Sequence, residues 1–459
     1  MKSNNLFERG QALIIIALAA IGLFAIVGVG IDGSAKFSDR RHAQNAADTA
    51  ALAAALAKID ALTVGLSDNP TTCPPSSGSP SAVCAAVQLA GLDRAASNGY
   101  NNNLTSNIVK IYSPPISGPY TGNTKYVQVI ITSYVNTFFA RIIGIPQTKN
   151  EVQAVTFTRQ GGPMFNGASI ASYNPDTSSG CSGSLRVGGS STITLTGGGL
   201  WLNSDEPDCA LEQQGGCPSS GNPLLVINGG GISSAGNNNV DFDACVNPIP
   251  SISYNNTQLK IPEDVDMPDR PAECSQTSNA INTPAGSNTW HITPGYYTDF
   301  PQNGIINNNK NIIMEPGVYC VNGDVHWSGA TFSSLDGTSG VTIYITKGHD
   351  FSLSINSPIS LDASNSGEYK GYLIIVETDF TGARGSCTIN GGTYLTMSGT
   401  IFAPYCDVTI NGDNNSSSTV NLGTQVIGWN VTLNGSSTVN FNYVPADNAQ
   451  NQKRVGLMK

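Results

Sequence analysis

From Ala12 to Ile31 the chain runs 20 residues without a charge or a strongly polar group. A helix of that length rises about 30 Å, the thickness of a bilayer's hydrocarbon core. No other feature constrains the fold as much, because a segment this apolar belongs in lipid or in the middle of a large core. A secretory signal has a shorter apolar stretch, about 7–15 residues, and a small-residue cleavage site. This run is longer, no A-x-A follows it, and Val29-Gly30-Ile31-Asp32-Gly33 is a poor site for cleavage. The reading is an uncleaved anchor. The helix is expected to continue past the lipid, since Asp32 to Asp60 contains no proline and Ala43 to Ala57 is dense in alanine and leucine, the best helix formers.

Which side receives the rest of the chain is a conflict within the sequence. Lys2 and Arg9 precede the span, whereas Lys36, Arg40 and Arg41 follow it, and the count of basic residues places the C-terminal side inside. The cysteines argue the reverse. All ten follow residue 72 (Cys73, Cys84, Cys181, Cys209, Cys217, Cys245, Cys274, Cys320, Cys387, Cys406), an even number on one side of the span with no C-x-x-C spacing for a metal. Disulfides in an oxidising compartment follow, with Cys73–Cys84 and Cys209–Cys217 as the pairs closest in sequence; the full connectivity stays open. The bulk of the chain is therefore expected outside the cytoplasm. Charged residues make up only 12% of the 459, with 50 glycines and 25 prolines, a composition suited to an all-β extracellular protein. The net charge of −10 excludes nucleic acid as a partner.

After the span, Ser34 to Leu62 reads as an amphipathic helix with Arg40, Arg41, Gln44, Asn45 and Asp48 on its polar side. A proline-rich loop (Ser67 to Ser81) and a second helix (Ala82 to Ser97, ending at Asn98-Gly99) come next. Strands are predicted over Ile108–Tyr112, Tyr126–Thr132 and Val152–Thr158, with a short apolar helix, Thr137–Ile143, capped by Asn136 and ended by Gly144. The predicted divisions are 1–33 for the N-terminus and transmembrane helix, 34–159 for a small α+β module, 160–445 for a β region, and 446–459 for a C-terminal tail.

Arg9-Gly10-Gln11-Ala12-Leu13, then Gly28-Val29-Gly30-Ile31-Asp32-Gly33, then Arg40-Arg41-His42-Ala43-Gln44-Asn45-Ala46-Ala47-Asp48-Thr49-Ala50-Ala51-Leu52-Ala53 closely resemble the N-terminal segment of TadE/TadG-like proteins of bacterial Flp (tight-adherence) pilus assembly. Val135 to Ile145 and Val152-Gln153-Ala154-Val155 resemble the same family more loosely. The resemblance implies a pilin-like anchor in the inner membrane, with pilus components as partners and self-association through the N-terminal helix. Processed type IV pilins carry a glutamate five residues after the glycine at the cut. Counting from Gly10, that position is Ile15, so the resemblance favours the unprocessed TadG-like branch.

Beyond residue 160, short β-rich segments alternate with Gly/Asn/Ser turns. Thr388-Ile389-Asn390-Gly391, Thr409-Ile410-Asn411-Gly412 and Thr432-Leu433-Asn434-Gly435 recur 21 and 23 residues apart, echoed by Thr194–Gly197 and Val226–Gly229. A coil of about 22 residues suits three short strands and three turns of a parallel, right-handed β-helix. In that reading the Asn-Gly pairs turn the chain at φ > 0, and their asparagines stack into a ladder. The alternative is an antiparallel sandwich with Asn-Gly hairpins. The segments Ile292–Tyr297, Met314–Tyr319, Gly340–Tyr344 and Gly399–Pro404 resemble the C-terminal β-repeat region of many TadG-like proteins. The proline-rich stretch 246–289 reads as a long loop or insertion.

No catalytic, cofactor or metal residue is predicted. Glu263, Asp264, Asp266 and Asp269 sit in the proline-rich loop without the spacing of a calcium loop, and Asp241 and Asp243 are equally weak. His42, His291, His326 and His349 are isolated from one another. Gly348-His349-Asp350 resembles a fragment of pectinase-type sites but lacks their companion aspartates. Gly197-Gly198-Gly199 and Gly229-Gly230-Gly231 read as turns, since no helix follows to hold a phosphate. Three functions remain: a structural role in pilus assembly, a surface adhesin that binds glycan through Trp201, Trp290, Trp327 or Trp429, and a polysaccharide-acting enzyme built on Asp264 or His349. The first is preferred. N-terminal sequencing of the mature protein is expected to find a start upstream of Gln11; a start at Gln11 would reveal cleavage after Gly10.

Overall fold

The computed structural model describes residues 8–175, 184–189, 192–205, 210–214, 224–237, 240, 250–277, 279–280, 283–285, 288–300, 310–335, 340–354, 358–391, 395–412, 419–435 and 438–458. The chain divides into two compact units, one formed by residues 1–161 with 452–459 and the other by 162–451.

The first unit is built on α1 (Glu8–Thr63), a single helix of 56 residues and about 84 Å. Its second half carries a stripe of alanines, Ala43, Ala46, Ala47, Ala50, Ala51, Ala54 and Ala55, spaced three and four apart and fully buried. Such small side chains let α1 lie close against α2 (Ala82–Ser97) and against a sheet. Ser81 caps α2 by accepting the N–H of Cys84, and Gly99, at φ 89°, ends it as expected. The Cys73–Cys84 disulfide predicted from proximity is present. The sheet runs β1 (Asn107–Tyr112), β2 (Tyr126–Asn136), β3 (Gln147–Arg159), all antiparallel. Val127, Val129 and Ile131 of β2 face the alanine stripe.

Two expectations for this unit are corrected. The helix expected over Thr137–Ile143 shrinks to one 3-10 turn, Ala140–Ile143, because β2 extends to Asn136 and β3 begins at Gln147. The segment is the tip of a hairpin. The tail beyond residue 445 is not a free cap: Arg454–Met458 pairs antiparallel with β3 as the fourth strand of the sheet. The edge of β3, uncharged from Val152 to Thr158, offers backbone groups to a neighbour, and this strand pairs with them from Val155 to Arg159.

Most described strands of the second unit are parallel and stack in three columns; Gly162–Pro163 with Gln450–Asn451 and Thr283–Pro284 with Thr289–Ile292 pair antiparallel. One column runs through Val325–Ser328, Phe351–Ser354, Gly385–Asn390, Cys406–Asn411, Val431–Gly435, Leu185–Gly189 and Leu211–Gln214. A second runs from Thr289–Ile292 through Thr438–Asn442 to Leu225–Asn228, and a third from Gly295–Tyr297 to Ile252–Ser253. The antiparallel sandwich is excluded for the described residues of 380–443, whose pairings are parallel. Equivalent side chains stack inward, as Val408, Val431, Leu185 and Leu211 do in register.

The stacking order is not the chain order. Ile170–Ser172 sits between Val426–Gly428 on one side and Leu200–Leu202 on the other, and Leu185–Gly189 pairs with Val431–Gly435. The unit's first strands thus continue the stack where its last strands leave off, and the chain enters and leaves near the middle. The proline-rich segment crosses from one end to the other. Its longest described part, 250–277, lies along the strands and does not project as a loop. Leu259 exchanges hydrogen bonds with the Asn203 side chain (2.7 and 2.9 Å), the Ile261 N–H donates to the Tyr173 hydroxyl (3.1 Å), Tyr369 donates to the Asp269 carbonyl (3.0 Å), and Arg270 grips Glu377 with both carboxylate oxygens. The Cys274–Cys320 disulfide fixes its far end, and Cys387–Cys406 joins neighbouring strands. Cys181, Cys209, Cys217 and Cys245, with the expected Cys209–Cys217 pair, lie outside the described residues.

The asparagine ladder is present. Asn434 Nδ2 donates to Asn411 Oδ1 (3.4 Å), and Asn411 Nδ2 to Asn390 Oδ1 (2.8 Å). These Asn-Gly pairs do not turn the chain at positive φ; the asparagines are strand residues in register. The triple glycines do turn, and Gly199 stacks so tightly on Gly231 that a Cβ there would meet the Gly231 carbonyl at 1.9 Å. Asn411→Ala removes one bond given and one received, and is expected to lower the unit's unfolding free energy by about 1–2 kcal/mol. Denaturant titration reads this, and an unshifted midpoint would show that the ladder contributes nothing.

Candidate functional site

Two regions carry exposed chemistry. The first is the apolar, N-terminal half of α1 in the first unit. Leu13, Ile14, Ile15, Ile16, Leu18, Ile21, Leu23, Phe24 and Ile26 are each 60–73% exposed, an apolar surface all round the helix. Among the described residues one helix, α1, is long and apolar enough to cross a membrane. At the end of this stretch the β2–β3 hairpin tip folds against α1. The Asp32 carboxylate accepts the backbone N–H groups of Phe138 (2.8 Å), Phe139 (3.1 Å) and Ala140 (2.7 Å). One turn earlier, Gly28 has no side chain because a Cβ would lie 2.6 Å from Phe139 Cγ. Further along α1, Asp39 accepts from the Tyr100 hydroxyl, Ser133 Oγ and Asn150 Nδ2, tying both hairpin strands to the helix. In the sequence Asp32 stood out only as part of the motif Gly28–Gly33, and Asp39 did not stand out at all. An acid one residue after an apolar run is the signal that could have found the first.

The second region is a ring of four aromatic side chains in the stack. Tyr173, Trp429, Tyr405 and Phe380 contact one another in turn, with centroids 5.2–5.9 Å apart. Tyr173 is buried, and burial raises its phenol above the usual range; the other three rings are half-buried. The Arg384 guanidinium lies 5.7 Å from the Trp429 ring and pairs with Asp407, which also accepts from Asn430. Nearby, bonds from Lys347 and Thr381 hold the exposed Asp379 carboxyl down at about 2. Of the tryptophans considered for glycan, Trp201 and Trp327 are buried in the core, Trp327 stacked on Phe332, whereas Trp290 and Trp429 are half-buried.

The acidic and histidine candidates are not brought together. Asp264 accepts the Lys260 N–H within a turn, Asp266 offers its backbone to Asn451, and Asp269 its carbonyl to Tyr369. Their segment needs the backbone for docking, and no three acidic, histidine or cysteine side chains among the described residues converge on a metal position. Asp241 and Asp243 lie outside the described residues. His349 Nδ1 is 3.1 Å from Asp324, and Asp350 accepts the Ser386 N–H, so Gly348-His349-Asp350 links neighbouring strands. His291 lies 3.8 Å from Glu315, His42 packs its edge on Tyr100, and His326 is exposed.

What this geometry defines is a class: a chain in which the one helix among the described residues long and apolar enough to cross a membrane is rooted, by an alanine stripe and two aspartates, in a small α+β unit. Residues 10–57, the apolar stretch together with that stripe, match the family model described as putative Flp pilus-assembly TadE/G-like. No curated protein and no solved structure matches the chain. Asp32→Ala leaves three N–H groups without their acceptor. Hydrogen exchange at Phe138, Phe139 and Ala140 is expected to speed up by about tenfold or more relative to the strands behind them, reflecting a locally opened tip.

Proposed function

We propose that this chain is a non-enzymatic, TadG-like component of Flp pilus assembly, anchored in the inner membrane of a bacterium by residues 12–31. Its three columns of parallel strands form a right-handed β-helix on the extracytoplasmic side. The observation that carries the reading is the coincidence of the family match with α1: the matched residues 10–57 are both the exposed apolar stretch and the alanine stripe that roots it. Three disulfides among the described residues, all following the span, support an oxidising compartment. The partners are lipid along residues 12–31 and other pilus components, with α1 a surface through which copies can associate.

A second reading, adhesion to a surface glycan, rests on the ring of Tyr405, Trp429 and Phe380 beside Arg384, Asp407 and Asn430. Sugars stack on half-exposed aromatic faces while polar neighbours hold their hydroxyls. Cell fractionation separates the readings. In the native host the protein is expected in the inner membrane, co-purifying with pilus components, and deletion of residues 12–31 should abolish both. Glycan binding lost in Trp429→Ala with Tyr405→Ala, while pilus assembly stays intact, would instead favour the adhesin. Wild-type protein recovered only in the soluble fraction would overturn the anchored reading.

A further inference from the structure

We propose that the tip of the β2–β3 hairpin, residues 137–146, is a second membrane contact: Phe138, Ile142 and Ile143 insert into the lipid boundary beside the point where α1 leaves the bilayer. The inference rests on the reading that residues 12–31 span the membrane, and goes beyond it to a part of the chain outside the matched segment 10–57.

The first observation is exposure. Phe138 is 72% exposed, Ile142 81% and Ile143 77%, with Phe139 and Ile145 also open. Five large apolar side chains within eight residues make a contiguous patch that a water-facing hairpin tip would not carry.

The second observation is depth. The Gly28 contact places the Phe139 ring against a residue that lies three positions inside the span, about 4–5 Å below Ile31 along the axis. Any placement of α1 that buries Gly28 to Ile31 in lipid also brings Phe139 to lipid depth, and its exposed neighbours with it.

The third observation is that the tip's backbone is prepared for a medium without water. The N–H groups of Phe138, Phe139 and Ala140 are taken by Asp32. Those of Ile142, Gly144 and Ile145 go to carbonyls within the tip, the Thr137 N–H to the Pro146 carbonyl, and the Thr137 hydroxyl to the Ile145 carbonyl. Non-helical backbone entering a bilayer boundary requires such internal pairing. The same donors compensate the charge of Asp32 at the span's edge.

Charge placement agrees with lipid as the occupant. Arg141 stands exposed on the tip, with a side chain long enough to reach back to head groups. Lys36, Arg40 and Arg41 are exposed on α1 about 7–15 Å beyond Ile31, where lipid phosphates lie. A helix with a wedge of apolar loop at its exit is held at a set depth, and its rocking about the exit point is restrained.

Photocrosslinking tests this in the full chain reconstituted into phosphatidylcholine–phosphatidylglycerol vesicles. p-Benzoylphenylalanine replaces Phe138 or Ile142 in turn, with Leu18 in the span as the positive control and the exposed Val64, just past the far end of α1, as the negative one. The expected result is phospholipid adducts at Phe138 and Ile142 about tenfold or more above Val64 and comparable to Leu18. Adducts at Leu18 with none at Phe138 and Ile142 would overturn the loop contact and leave the span standing. Adducts to a second protein copy at Ile142, without lipid, would overturn lipid as the occupant. No lipid adduct at Leu18 would remove the span reading and this inference together.

Discussion

Backbone hydrogen bonding is the constraint on which both units depend, and they meet it in opposite ways. A helix pairs every interior N–H with a carbonyl of its own segment, so α1 can carry the exposed apolar stretch and still have no unpaired peptide group to place in lipid. A stacked parallel strand pairs only with the strands before and after it. The second unit therefore lives by its neighbours, and a strand at the end of a column keeps one unpaired edge unless another segment covers it. At the end nearest residue 289 the edge is covered by an antiparallel partner, Thr283–Pro284 against Thr289–Ile292. Pro284 has no N–H with which to recruit a further strand.

The same constraint explains why the stack tolerates a chain that enters at its middle. The ladder reads register, not connectivity. Leu185–Gly189 presents the same alternation of inward apolar and more open side chains as Val431–Gly435, and Ile170–Ser172, like Val426–Gly428, is buried on both faces, so they pair as successive rungs although some 250 residues separate them. Closing so long a loop carries an entropic penalty that grows only slowly with length. The proline-rich segment spans the distance this order creates. Its prolines disfavour strand pairing, and its contacts use side chains of the stack, Asn203, Tyr173 and Tyr369, as acceptors and donors for its free backbone groups.

Much of the local structure was legible in the sequence. Helix α2 covers the expected Ala82–Ser97 and stops at the expected Asn98-Gly99, the Cys73–Cys84 disulfide followed from proximity, and the asparagine repeat announced parallel stacking. Other features were not legible, for physical reasons. Thr137–Ile143 has an apolar spacing that suits a helix, but the hairpin strands run to Asn136 and from Gln147 and leave room for one 3-10 turn, whose leading N–H groups the distant Asp32 carboxylate accepts. The aromatic ring joins Tyr173 to Trp429 across the permuted rung, a proximity no local pattern encodes. Arg454–Met458 is polar at its start and short, and only the open edge of β3 makes it a strand.

The sequence by itself determined that one segment is apolar enough for lipid, that it continues as a helix through an alanine-rich stretch, and that the remainder is built from short strands repeating at about the length of one rung. These follow from composition and period, which need no partner to be read. Tertiary structure alone decided the order of the rungs, the course of the proline-rich segment, and the docking of the hairpin tip on Asp32 and Gly28. Each of those depends on which backbone groups are left unpaired once the local elements have formed, and that is a property of the assembled chain.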